Sequence, residues 1–185
     1  MFINAHLNEV VSNLSIYESD EFLQICKVLS DTHQAGNWVF VGGNGGSQSM
    51  LEHFAADWNK GIREITGKPL KTFVLNSSLP NLTAIANDFA YEETLSYPLE
   101  GMASGNDILL LVSSSGKSPN ILRAIEVANQ KAMTTILISG FGKKSQPAKA
   151  SIELNISSSD YQVIEDVHNV FGHLILKFFS ECVSK

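Results

Sequence analysis

The chain has 185 residues, of which 44% are hydrophobic and 17% are charged, and its formal net charge is −6. This composition excludes a disordered chain, which would combine low hydrophobicity with high net charge. The acidic balance speaks against direct binding of nucleic acid, because no basic field is present to collect phosphates. The length suffices for one domain with a substantial core.

Cysteine usage and hydropathy indicate where the chain works. Only Cys26 and Cys182 are present, without the spacing of a metal or redox motif, so we expect no disulfide framework and a reducing compartment. No apolar run approaches the length that spans a membrane, and the N-terminus lacks the basic flank and apolar core of a signal peptide. The sequence therefore predicts a cytoplasmic protein without a membrane partner.

The first 35 residues carry two amphipathic patterns and predict a helical hairpin. The first pattern ends near Leu14, and the second begins after a candidate cap, Asp20. His6 and His33 lie within these helices and belong to no motif, so we expect them to face solvent.

From residue 36 onward, short apolar runs alternate with helical patterns. Strands are predicted at 38–41, 73–75, 108–112, 135–138 and 152–156, and helices at about 47–60, 80–100, 118–131 and 162–183. Continuous apolar runs are typical of strands buried on both faces, and their alternation with helices predicts a parallel sheet. We therefore expect an α/β three-layer sandwich with a central parallel sheet of about five strands. Residues 36–185 would form this core, the N-terminal helices would be added to it, and the whole chain, 1–185, would be one domain.

Two turns that follow predicted strands combine residue types that bind phosphate. The glycine turn, Gly42–Ser47, allows close backbone approach and leads into a helix N-terminus with unpaired N–H groups. The serine turn, Ser113–Ser118, precedes a helix that opens at Pro119 with Ser118 as its cap. In parallel sheets, ligands bind beyond the carboxyl ends of the strands. Because several hydroxyls beside a helix N-terminus suit a phosphate monoester, the serine turn is the predicted phosphate site.

Two nucleotide-binding motifs resemble these turns without fitting them. Gly116-Lys117-Ser118 matches the end of a P-loop, but Leu111 stands where that motif needs its first glycine. Gly43-Asn44-Gly45 matches the start of a dinucleotide fingerprint, whose third glycine would fall at Gln48. An ordinary strand-to-helix connection remains the alternative for either turn alone, whereas two such turns in one sheet favour a ligand site.

Histidine and acidic residues near these turns are candidates for a metal site. His53 and Asp57 lie four apart on one helix face, where they can bind one metal ion or form a surface pair worth roughly a few tenths of a kcal/mol. On the final helix, Glu165 and His173 are separated by about 12 Å along the axis. Binding one ion would require leaning side chains or a second subunit, and Asp166 lies closer to the face of His173.

Taken together, the motifs resemble the sugar isomerase (SIS) domain of phosphoheptose isomerases. The resemblance covers nearly the whole chain and rests on segments in the family's order: Val41–Ser47, His53-Phe54-Ala55, Ala86-Asn87-Asp88-Phe89, the serine turn, and Glu165-Asp166-Val167-His168 with His173. It implies the SIS fold and conversion of sedoheptulose 7-phosphate to D-glycero-D-manno-heptose 7-phosphate, for bacterial surface heptose synthesis. It also implies a homotetramer with one zinc ion in each active site.

The resemblance also implies roles for individual residues. Substrate contacts fall on Asn44, Gly45, Gly46, Ser47, His53, Asn87, Asp88, Ser113, Ser114, Ser115, Ser118 and Glu165. Metal ligands fall on His53, Asp57, Glu165 and His173, with Asp57 and His173 also transferring protons. Asp57 stands where the isomerases carry a glutamate and Glu165 where they carry a glutamine, which indicates a variant branch. Since Asp57 reaches less far than glutamate, Glu165 is the natural candidate to compensate.

These residues lead to one function and to alternatives. Isomerisation through an enediol needs a base of matched pKa, an acid for the carbonyl oxygen and stabilisation of the oxyanion. The leading hypothesis is a cytoplasmic, zinc-assisted sugar-phosphate isomerase. The main alternative is a non-catalytic SIS protein that senses a sugar phosphate or scaffolds a partner, as in a replication-initiator-associating type. Replacement of the glutamate by Asp57 motivates that alternative, while His53 and His173 speak against it. A related isomerase or epimerase for capsule synthesis is a third possibility.

Overall fold

The computed structural model describes residues 1–142 and 149–183, with a sheet of five parallel strands at its centre. The strands are β1 (Val39–Gly43), β2 (Thr72–Val74), β3 (Ile108–Val112), β4 (Thr134–Ser139) and β5 (Ile152–Asn155). Their order is β2-β1-β3-β4-β5, and all neighbouring pairs run parallel. The predicted α/β fold with a parallel sheet of about five strands is therefore confirmed.

Helices cover both faces of the sheet. They are α1 (Phe2–Asn13), α2 (Asp20–Ala35), α3 (Gly45–Asp57), α4 (Arg63–Thr66), α5 (Leu79–Asp88), α6 (Glu93–Met102), α7 (Pro119–Gln130) and α8 (Tyr161–Phe178). A 3₁₀ turn, Leu14–Glu18, joins α1 to α2, and π-helical turns extend α3 over Trp58–Ile62 and α8 over Phe179–Val183. Across the described ranges, none of these helices combines the length and apolar character needed to cross a membrane.

Alternate side chains of the central strands pack into two separate hydrophobic cores, one on each face of the sheet. Ile108, Leu110 and Val112 of β3 pack in one apolar cluster with residues of α2, α3 and α8. Leu109 and Leu111 point the other way and pack with residues of α6 and α7. This period of two, with both faces apolar, is the physical reason for the uninterrupted hydrophobic run in β3.

Several local boundaries differ from the predicted ones. Ser19, not Asp20, caps α2, because its side-chain oxygen accepts a hydrogen bond from the Phe22 N–H. The single helix predicted at 80–100 is wrong, since α5 ends at Asp88 and the Glu93 N–H is bonded to the carbonyl of Ala90 in an intervening turn. The break allows α6 to take its own direction, with its apolar residues in the core of the second face.

The two histidines of the N-terminal helices are not both solvent-facing. His33 is buried, and its Nε2 lies 3.0 Å from both Thr66 Oγ1 and the Lys68 carbonyl. The expectation that it faces solvent is wrong because residues that follow α3 in the chain close over it. His6 has a partner in α8, since its Nε2 lies 2.8 Å from an Asp166 carboxylate oxygen.

The strand order determines where a ligand can bind. From β1 the chain moves to one side to form β2, and it then returns to the other side to form β3. Such a reversal opens a crevice between the carboxyl ends of the two strands on either side of it, here β1 and β3. Gly43 pairs with Val112, so both strands end level with each other. The glycine turn and the serine turn therefore emerge side by side at this crevice.

Candidate active site

A cavity of about 270 Å³ opens between the glycine turn and the serine turn. Its lining residues are Asn44, Gly45, Gly46, Ser47, Ser113, Ser114, Ser115, Ser118, Tyr161 and Glu165. All the predicted substrate contacts line this cavity except His53, Asn87 and Asp88. Tyr161, the first residue of α8, is a lining residue that the sequence analysis did not identify.

The backbone of the glycine turn explains its residue types. Gly45 has a positive φ of 52°, a conformation that costs glycine little and other residues much. A Cβ at Gly43 would lie 3.0 Å from the Val112 carbonyl oxygen and 3.0 Å from the Ser47 Cβ, so a larger residue would require β3 or the start of α3 to shift. Asn44 makes no side-chain cap bond to α3, which leaves N–H groups of its first turn available to an anion.

The serine turn is organised by its own hydroxyls. Ser113 Oγ accepts the Gly116 N–H at 3.2 Å, and Ser115 Oγ accepts the Lys117 N–H at 3.2 Å. Each hydroxyl still has its own hydrogen to donate. Ser118 precedes α7 without making a side-chain cap bond, so a second helix N-terminus faces the same crevice. Hydroxyl and N–H donors converging on one cavity match the oxygens of a phosphate group.

Glu165 approaches the cavity from α8. The Ser114 hydroxyl lies 3.5 Å from its Oε1 atom, and a Cβ at Gly46 would lie 3.9 Å from its Oε2 atom. Glu165 also lines a smaller neighbouring cavity of about 110 Å³ together with Gly46, Ser47, Met50, His168 and Asn169. The carboxylate therefore lies beside the phosphate-type cavity.

Three of the four predicted metal ligands lie together. His53 Nε2 is 3.5 Å and His173 Nε2 is 4.0 Å from the same Asp57 carboxylate oxygen. One nitrogen or oxygen from each residue lies within 4.8 Å of the others, an arrangement that can hold a metal ion. Among the described residues, Glu165 is not part of this group. Asp166, the rival ligand, is paired with His6 instead.

The crossing of α3 and α8 assembles this group. Gly172 lies against the ring of Phe54, and its carbonyl accepts a hydrogen bond from the Trp58 indole N–H at 3.1 Å. His53 and His173 are the immediate chain neighbours of the two residues in contact, so the close crossing brings their rings to 5.8 Å between centroids. Since α3 begins at the cavity, His53 lies about 12 Å along the helix from Gly45.

Asn87 and Asp88 are the last two residues of α5 and are not among the residues that line the cavity. Both are exposed, and the Asn87 amide donates to the Asp88 carboxylate at 2.8 Å. Their predicted contact with substrate stays a prediction.

The sequence predicted no role for two buried side chains near the site, although His168 lies in one of the segments that carry the family resemblance. Asn120 is fully buried and exchanges hydrogen bonds with Asn44. His168 is 1% exposed, and its Nε2 lies 3.4 Å from the Ser139 carbonyl. Burial lowers the pKa of His168 to about 4. No local pattern predicts the burial of either residue, because that burial comes from packing between distant segments.

Comparisons with known proteins agree with this architecture. Residues 3–140 match the family model described as the SIS domain. The chain is 31% identical to the phosphoheptose isomerase of Campylobacter concisus over 97% of its own length and 93% of that protein. It is 35% identical to the phosphoheptose isomerase of Helicobacter pylori over 82% of its own length and 79% of that protein.

Solved structures show the same fold. The phosphoheptose isomerase of Francisella tularensis superposes with a TM-score of 0.86 at 22% identity, covering 97% of this chain and 96% of that one. The corresponding protein of Neisseria gonorrhoeae gives a TM-score of 0.79 at 23% identity, covering 96% and 97%. From the family model and the curated relatives, the chain belongs to the SIS domain family and, within it, to the phosphoheptose isomerases.

Proposed function

We propose that the chain is an aldose–ketose isomerase that converts sedoheptulose 7-phosphate to D-glycero-D-manno-heptose 7-phosphate for surface heptose synthesis. One observation carries the proposal: helix α3 begins at the donor-rich cavity of the β1–β3 crevice and ends with His53 and Asp57, which His173 of α8 joins in one group. The membership in the phosphoheptose isomerase family supports the same substrate.

The phosphate end of the substrate would bind at the two turns. Ser113, Ser115 and Ser118 supply hydroxyls, and the first turn of α3 supplies backbone N–H groups. These donors are neutral and arranged before the ligand arrives, so they hold a phosphate dianion without a paired lysine or arginine. Binding energy gained at this end can orient the distant reacting carbons.

The reacting end needs groups that move protons. One proton must leave C1 of the ketose and return to C2, while the C1 hydroxyl loses a proton and the C2 carbonyl oxygen gains one. Asp57 and His173 lie 4.0 Å apart and supply a carboxylate and an imidazole for these transfers. We propose Asp57 as the base at carbon and His173 as the group that exchanges protons with the oxygens.

The same residues fit zinc by the chemistry of their donor atoms. Two imidazole nitrogens and a carboxylate oxygen, all within 4.8 Å of one another, form a donor set that zinc accepts. We propose that His53, Asp57 and His173 hold the ion and that Glu165, across the cavity, contacts it or the substrate. When bound, zinc would stabilise the negative charge that develops on the enediol oxygens.

The proposal includes a homotetramer working in the cytoplasm. Exposed apolar side chains on α1 support self-association: Phe2, Ile3, Leu7 and Val11 all lie on the surface of the single chain. The partners of the chain would then be the sugar phosphate and its own copies.

A turnover assay tests the proposal. Purified protein is incubated with sedoheptulose 7-phosphate, as prepared, after treatment with a chelator, and after zinc is added back. We expect the aldose product, its loss with the chelator and its return with zinc. If no sample turns over, although calorimetry detects binding of the sugar phosphate, the isomerase proposal is wrong and the sensor interpretation is favoured.

The Asp57→Asn variant sharpens the same assay. It keeps the size of the side chain but removes the basic oxygen, so we expect at least a 100-fold loss of turnover, in the range that general-base catalysis contributes. The melting temperature should barely change, because Asp57 is only half-buried. Asp31→Asn is the matched control, since Asp31 is an exposed aspartate that pairs with Lys27 on α2. Full turnover of Asp57→Asn would overturn the assigned role.

A further inference from the structure

We infer that Asn120 is a positioning residue for the sugar-phosphate site, acting through Asn44. The two amides form a reciprocal pair: Asn44 Nδ2 donates to Asn120 Oδ1 at 3.0 Å, and Asn120 Nδ2 donates to Asn44 Oδ1 at 2.8 Å. Asn44 belongs to the glycine turn, and Asn120 is the second residue of α7, directly after the serine turn. The pair therefore links the two walls of the cavity.

A backbone N–H determines the orientation of this pair. The Ile121 N–H donates to Asn120 Oδ1 at 3.1 Å as well as to the Ser118 carbonyl at 3.0 Å, and a backbone N–H can only donate. The oxygen of Asn120 must therefore face Ile121, which leaves its NH₂ group to donate to Asn44 and, at 3.4 Å, to Thr94 Oγ1. Asn120 is fully buried, so turning its amide over would set its NH₂ group against the Ile121 N–H, two donors with no acceptor between them.

The fixed orientation of Asn120 limits what Asn44 can do. Asn44 Oδ1 accepts from Asn120 and also from the Tyr91 hydroxyl at 2.9 Å, so both of its lone pairs are used. Its Nδ2 gives one hydrogen to Asn120, and one hydrogen remains. Asn44 therefore meets the ligand only as a donor, with a single N–H held in one direction, and recognises an oxygen lone pair of the sugar phosphate.

Tyr91 completes the arrangement from the segment between α5 and α6. Its side chain is half exposed, so the hydroxyl closes the open side of Asn44 without being part of the core. Thr94 ties this segment to the pair, because its hydroxyl donates to the Tyr91 carbonyl at 2.8 Å. Three chain segments thus converge on the Asn44 amide and link the glycine turn to the residues that follow the serine turn.

A double-mutant cycle tests the inference, which rests on the proposed isomerase function. Asn120→Ala, Asn44→Ala and the double variant are compared with the unaltered chain in kcat/KM for sedoheptulose 7-phosphate and in affinity for that compound by calorimetry. We expect each single variant to lose about 10- to 100-fold in kcat/KM, because misplacement of a positioning group is costly. The double variant should be no worse than Asn44→Ala alone, since Asn120 acts through Asn44. Losses that multiply in the double variant would overturn the inference.

Two further variants guard against a purely structural effect. Ser96→Ala removes a fully buried polar group that lies on α6 and is bonded to Glu93 instead of Asn44. We expect this variant to keep the kcat/KM of the unaltered chain. If Asn120→Ala fails to fold, Tyr91→Phe replaces it in the cycle, because Tyr91 is exposed. We expect Tyr91→Phe to lower kcat/KM by about 2- to 10-fold in the unaltered chain and not to lower it further in the Asn44→Ala variant. If the unaltered chain binds the sugar phosphate without turnover, the isomerase function fails, while the affinities alone still decide the coupling.

Discussion

His168 is a buried histidine beside the cavity, where its environment keeps it neutral. Its Nε2 lies near the Ser139 carbonyl, whereas Nδ1 is buried without a hydrogen-bond partner in the part of the chain that the structure describes. Desolvation disfavours the charged imidazolium and lowers the pKa of the side chain from an ordinary 6.5 to about 4. In the unfolded chain the same group binds a proton at higher pH, so acid favours unfolding.

The first prediction concerns His168 and the pH dependence of stability. As pH falls from about 7.5 to about 4.5, we expect His168 alone to lower the free energy of unfolding by about 2–3 kcal/mol. Its contribution is fully present above pH 6.5 and is lost as pH falls toward the folded-state pKa of about 4. Urea denaturation at both pH values measures the effect, and His168→Gln should show a drop smaller by that amount. An equal drop in both proteins would contradict the prediction.

Individual residues differ in how far sequence could predict them. The position of the serine turn at the end of a strand was predictable, because its hydroxyls are neighbours in the chain and lie directly after an apolar run. Asn120 was not, because its partners, Asn44 and Thr94, come from two other segments of the chain. The exposure predicted for His33 was wrong for a similar reason, since the side chain contacts Thr66 and Lys68, which lie more than thirty positions away in the chain. Local patterns identify donors for a ligand, whereas tertiary contacts decide which polar side chains support them.

At the scale of elements, the crossing of α3 and α8 decides the geometry of the reactive group. Phe54 packs against Gly172 so closely that a Cβ there would lie 2.1 Å from a Phe54 ring carbon. The Trp58 ring stacks on the Phe54 ring, with 5.8 Å between their centroids, and this contact restricts how far the Phe54 ring can move. The four-residue spacing of His53 and Asp57 was visible in the sequence, but this helix contact, which adds His173, was not.

The Gly172→Ala variant tests the role of this crossing. The added methyl group must separate the helices or displace Phe54, so we expect a loss of about 1–3 kcal/mol in the free energy of unfolding. Turnover should fall as well, because His173 would move relative to Asp57. Gly101→Ala in α6 is the control, since a Cβ there meets no atom of the described residues within 4 Å, and it should be neutral or stabilising by up to about 1 kcal/mol. Unchanged unfolding of Gly172→Ala would contradict the prediction.

Boundaries between elements were the least predictable part of the fold. The helical pattern at 80–100 continued through the turn after Asp88 because Phe89, Tyr91 and Tyr97 extend the apolar spacing. In the structure these aromatic side chains are exposed, and the rings of Phe89 and Tyr97 stack with 4.8 Å between centroids. An apolar pattern predicts burial, and here the aromatic residues belong to the surface.

For the whole molecule, alternation of strands and helices was enough to predict a parallel sheet, because the apolar runs were short and continuous. The order of strands was not predictable from these patterns, although it creates the crevice at β1 and β3 where both turns meet. The order depends on which helix packs on which face, and that follows from the two cores together. The outer face of α1 carries a row of exposed apolar side chains on this molecule.

The last prediction is that this face of α1 makes subunit contacts. Ile3, Leu7 and Val11 follow one another at helical spacing and are 48%, 55% and 67% exposed. His6, about 100° around the helix from Leu7, contacts α8 instead. We expect light scattering to give about four times the chain mass of 20.2 kDa. A charge in this row opposes burial of the row, so Leu7→Glu should lower the mass. Asn8→Glu, an exposed neighbour outside the row, should leave it unchanged. A monomeric unaltered chain, or equal masses for all three proteins, would contradict the prediction.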